Sequence, residues 1–68
     1  MMGTTEAAPV RVSVDLTSGE AWELAQFLKR AGFSTYLECA IDRDEAYRML
    51  QAGEKVREAL VEAGYAPR

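Results

Sequence analysis

Between Val10 and Leu16 the chain alternates apolar and polar side chains without a slip. Val10, Val12, Val14 and Leu16 fall on one face, Arg11, Ser13 and Asp15 on the other. A period of two is the repeat of extended chain, so the pattern predicts a strand over residues 10–16. No later stretch alternates in this way. A lone strand leaves a row of backbone donors and acceptors without partners in its own chain, so this one is expected to pair with the same segment of a second copy in a homodimer.

After Leu16 the period changes. Thr17 followed three residues later by Glu20 fits a capping box, in which each side chain satisfies the other residue's backbone amide. The helix that follows is predicted over 18–31, with Ala21, Leu24, Ala25, Leu28 and Ala31 recurring at three and four and with Trp22 and Phe27 widening the stripe. Glu20 and Glu23 near its start and Lys29 and Arg30 near its end suit the helix dipole. Gly32 is expected to end it in the left-handed conformation, with Phe33 packing back on Leu28. Leu60, Gly64 and Tyr65 repeat that stop signal near the other end of the chain. Ser34 can cap a short helix over 34–41, and Asp42 with Glu45 makes a second box-like start, which predicts a break near Ile41 and Asp42. The last helix is predicted over 43–63, with Ala46, Met49, Leu50, Gly53, Val56, Leu60 and Ala63 on one stripe. A glycine inside that stripe costs helix stability, and close approach of another helix is its expected return. The pattern as a whole predicts a mainly α domain with one N-terminal strand, in the order β-α-α-α, the strand being paired across the homodimer. Residues 1–9 are expected to be a flexible arm, 10–66 a single small domain and 67–68 a tail.

Size sharpens the expectation of a second copy. A chain of 68 residues is below the length at which one core comfortably suffices without disulfides, metal or oligomerisation. With one cysteine, Cys39, and no histidine, an internal disulfide is excluded and the commonest zinc ligand is missing. The opening MMGTTEAAP has neither the basic nor the apolar region of a secretion signal, and no run reaches membrane-spanning length, so a soluble cytoplasmic protein is expected. Net charge is −3 and the pI about 4.8, which disfavours a phosphate backbone as partner without forbidding a local basic patch.

The residues that could carry chemistry are few. Asp42, Asp44 and Glu45 lack the spacing of a calcium loop and read as helix-start carboxylates. Cys39 has no histidine to activate it and lies among Leu37, Ala40 and Ile41, so it reads as a small buried apolar residue. Trp22 reads as core, or as an interface anchor where core and interface coincide. No catalytic, cofactor-binding or metal-ligating residue is assigned, and an enzyme is not expected. Glu54, Glu58 and Glu62 recur at intervals of four along the last helix. Together with Arg11 and Asp15 they form the candidate interaction surface, beside the expected dimer residues Val10, Val12, Val14 and Leu16.

Two resemblances bear on function. A strand followed by helices, with the junction AGFSTYLECAI, resembles ribbon-helix-helix proteins over roughly Val10 to Met49. That likeness implies paired N-terminal strands reading the major groove through Arg11, Ser13 and Asp15. The segments DLT, EAW-LAQFLKR-GF, DEAY and EAGYAPR are similar to those of a family of short uncharacterised proteins of proteobacterial phages and mobile elements, from Asp15 to Arg68. That second likeness implies a small acidic module that binds a protein partner, as a regulator or inhibitor of a host complex such as a defence complex. A dimeric DNA-binding repressor is the alternative that the first likeness implies.

Overall fold

The computed structural model describes residues 8–68, and the first seven residues of the expected arm lie outside them. Among the described residues three helices follow one another: α1, Ser18–Arg30; α2, Phe33–Cys39; and α3, Arg43–Glu62. The expected strand is absent. Residues 10–16 form no secondary structure, and among the described residues none of their backbone groups has a backbone partner. Alternation specifies which way successive side chains point, but a strand also requires a neighbour for its backbone, and one copy of this chain offers none. The β-α-α-α architecture is therefore corrected to three helices preceded by an exposed segment, and the likeness to ribbon-helix-helix proteins loses its ribbon.

Local chemistry fixes where the helices begin. The Thr17 hydroxyl accepts from the Glu20 amide at 3.1 Å while the Thr17 amide donates to the Glu20 carboxylate at 3.0 Å, so α1 starts on a complete capping box. Asp42 accepts from the Glu45 amide at 2.8 Å at the start of α3, and Glu45 reaches back to the Ile41 amide at 2.8 Å, one residue before the cap. Residues 40–42 break α2 from α3.

The two glycine stops part company. Gly64 has φ 104, the Tyr65 amide donates to the Leu60 carbonyl at 2.8 Å and the Gly64 amide to Val61 at 2.9 Å, the two bonds of a Schellman motif. Gly32, by contrast, has φ −93 and is the N-cap of α2. The expected left-handed stop at Gly32 is thus corrected. With only Ala31 and Gly32 between α1 and α2, the residue that would have ended one helix is taken up in starting the next, and α2 begins at Phe33 rather than at Ser34.

α3 is the spine, because α1 and α2 each pack on it and not on each other. Among the described residues four of the six that are buried are alanines, Ala21, Ala25, Ala31 and Ala46, joined by Leu28 and Leu60. Small side chains let helix axes approach closely, but they bury little apolar area. At Gly53 there is no room for a side chain: a methyl group there would overlap the Tyr36 hydroxyl and stand 3.1 Å from its Cζ. The result is a layer rather than a bundle. Its shortest extent is 15 Å, little more than one helix with its side chains, and its radius of gyration is 13.6 Å, against about 11 Å for a compact domain of this length.

Candidate binding surface

The side of this layer left open is apolar. Val10, Val12, Val14 and Leu16 line one wall of a groove of about 460 Å³, and Leu24 of α1 with Lys55, Val56, Ala59 and Leu60 of α3 line the other. The alternation read in the sequence thus sorts these side chains onto one side, as extended chain requires. Their exposure falls steadily toward the helix, from 84% at Val10 through 74% and 67% to 39% at Leu16. The segment is anchored by the cap at Thr17 and leaves the body of the protein as it runs back toward Pro9. Lys55 is the single charged residue of the groove lining, so what this surface offers a partner is area to bury rather than groups to react.

Arg11 and Asp15 occupy the alternate positions of the segment and are exposed. Among the described residues neither enters an ion pair or a side-chain hydrogen bond. Glu54, Glu58 and Glu62 do come together, on one shallow surface with Arg57 and Val61. At 100° per residue that face of α3 points away from the face carrying Lys55, Val56 and Ala59, so the candidate interaction residues fall on two separate surfaces. Arg57 also pairs with Glu54 at 3.3 Å, which offsets part of the acidic character.

Other side chains settle as follows. Asp42 and Glu45 are engaged in capping the start of α3, and among the described residues no three potential ligands are placed to hold a metal ion. Cys39 is exposed at the last turn of α2, which corrects its reading as buried; α2 buries none of its residues fully, and the chain breaks away immediately after it. Trp22 stands edge-on to Tyr65 with ring centroids 6.0 Å apart and keeps part of its surface in solvent. Tyr65 reaches the core cluster because the Schellman turn folds it back over Leu60. A second aromatic contact is one the sequence pattern did not announce: Phe33 lies 4.5 Å from Tyr47, with the Arg43 guanidinium 5.2 Å from the Phe33 centroid. Arg43 and Tyr47 are four apart and therefore share a face of α3, which was the available signal.

These features define a small helical protein whose open apolar groove runs between an unpaired N-terminal segment and two helices. The chain belongs to DUF7706, a family of unknown function, whose model matches residues 1–68. No curated protein and no solved structure matches the chain. Among the described residues no helix is long and apolar enough to cross a membrane.

Proposed function

We propose that this protein is a non-enzymatic binding module that takes up another polypeptide along the groove between residues 10–16 and the α1–α3 surface. The observation that carries this reading is the exposure of Val10, Val12, Val14 and Leu16 on one side of a chain whose own core is mostly alanine. Contiguous apolar surface of this kind marks a site of association in a protein that must stay in solution. Covering the four side chains from their present exposure contributes on the order of 4–8 kcal/mol at 1.5–3 kcal/mol per fully buried side chain. Association costs a comparable amount in lost freedom, so a useful affinity also needs Leu24, Val56 and Ala59 on the opposite wall. A backbone without internal partners adds donors and acceptors that an extended partner can meet.

The biological role we propose is regulation or inhibition of a host complex in the cytoplasm, the role that a phage or mobile-element origin would imply. The acidic row of Glu54, Glu58 and Glu62 would face away from the groove and remain free to contact such a complex. The test compares the full chain with the variant Val12→Asp/Val14→Asp as affinity baits in the natural host, followed by reconstitution with the purified captured protein. A defined complex formed by the native chain and lost in the variant supports the reading. Equal complex formation by both baits contradicts it.

A further inference from the structure

We propose that one polypeptide seated in this groove is a second copy of the same chain, the two 10–16 segments lying antiparallel about a two-fold axis at Ser13. This rests on the reading of the groove as a polypeptide-binding surface and names its occupant.

The segment is self-complementary in charge as well as in polarity. Antiparallel apposition centred on Ser13 sets Val12 against Val14, Val10 against Leu16, and Arg11 of each copy against Asp15 of the other. No other register does this. Moving the centre by one residue to Val12 or Val14 keeps apolar residues opposite one another but sets the charges against Ser13 or leaves them unmatched, and centring on Arg11 or Asp15 sets like charges together. Registers centred between two residues put apolar side chains opposite polar ones. Arg11 and Asp15 are both exposed and have no ion-pair partner among the described residues, so each is available to the other copy. A two-fold contact is isologous: it buries two identical apolar segments for a single loss of translational freedom, where a one-sided partner buries one. It also supplies the second layer that a three-helix slab with a 15 Å shortest extent lacks.

The test is sedimentation velocity on the full chain over roughly 1–300 µM, bracketing the micromolar affinities expected of small interfaces, with circular dichroism to verify that each variant keeps its helices. Four chains are compared: native, Arg11→Asp, Asp15→Arg, and the double reversal Arg11→Asp/Asp15→Arg. The native chain is expected to dimerise. Each single reversal creates two like-charge contacts per dimer and is expected to weaken it about tenfold, while the double reversal restores opposite charges and should return to within about threefold of native. As a register check, Ser13→Cys in a Cys39→Ser background should oxidise readily to a covalent dimer and Val10→Cys in the same background should not. A native chain that stays monomeric at the highest concentration overturns the proposal, and so does a dimer indifferent to the reversals. In the monomeric case, loss of the host complex in Val12→Asp/Val14→Asp would leave the polypeptide-binding reading standing while this inference fell.

Discussion

Tyr36 and Gly53 show how a single missing side chain sets the spacing of two helices. The tyrosine ring lies across α3 where only a glycine leaves room, and its hydroxyl is buried without a hydrogen-bond partner among the described residues. Alanine at position 53 would ordinarily strengthen a helix by about 1 kcal/mol, but here it must displace the ring. Gly53→Ala is accordingly expected to destabilise the fold by about 1–3 kcal/mol in urea denaturation. Tyr36→Phe removes an unsatisfied buried group and should be neutral or stabilising by up to about 1 kcal/mol. The pair should also be coupled, since phenylalanine at 36 removes the atom that overlaps the new methyl, so Gly53→Ala should cost less in the Tyr36→Phe background. The need for close approach at Gly53 was legible in the sequence, because a glycine on an apolar stripe forfeits helix stability that a tightly packed neighbour can return. Which residue that neighbour is was not legible, since nothing in the local pattern distinguishes Tyr36 from any other α2 residue.

At the level of elements, the signals that worked were those whose partners lie within one turn of chain. Thr17 with Glu20, Asp42 with Glu45, and Leu60 with Gly64 and Tyr65 each complete their hydrogen bonds within five residues. The signals that misled were those whose outcome depends on something further away. Gly32 carries the same local message as Gly64, but it stands two residues after one helix and immediately before another. The consequence is measurable. Gly64→Ala forces a side chain into a positive φ and should cost about 1–2 kcal/mol, whereas Gly32→Ala meets neither strain nor a clash and loses only the better N-cap of α2, about 0.5 kcal/mol. Equal losses at the two glycines would contradict the distinct roles assigned to them. Thermal unfolding of Thr17→Ala should likewise report a loss of about 1 kcal/mol for the α1 cap, and for the anchor of the segment before it.

For the whole molecule the instructive residues are Val10 to Leu16. Their alternation specifies which side chains share a surface, yet it cannot specify a strand, because pairing belongs to two pieces of backbone and the sequence displays only one. Of the opposite wall, Leu24, Val56 and Leu60 were legible only as parts of two helical stripes expected to face a common core, and Ala59 lay outside both stripes. With a core of alanines and one open side, the molecule leaves those stripes incompletely covered. The surface of Glu54, Glu58 and Glu62 was visible from its spacing, but its separation from Arg11 and Asp15 depended on how α3 is turned against α1. The central requirement of the proposed pairing is that a second copy of the chain covers the apolar groove. Solvent paramagnetic relaxation of the valine methyl groups at several protein concentrations tests it most directly, with Val61, exposed on the acidic side of α3, as internal reference. The methyls of Val10, Val12 and Val14 should become protected as concentration rises while Val61 stays accessible. If all four remain equally accessible at the highest concentration, the groove is not covered by its own kind and the proposed pairing of the 10–16 segments is contradicted.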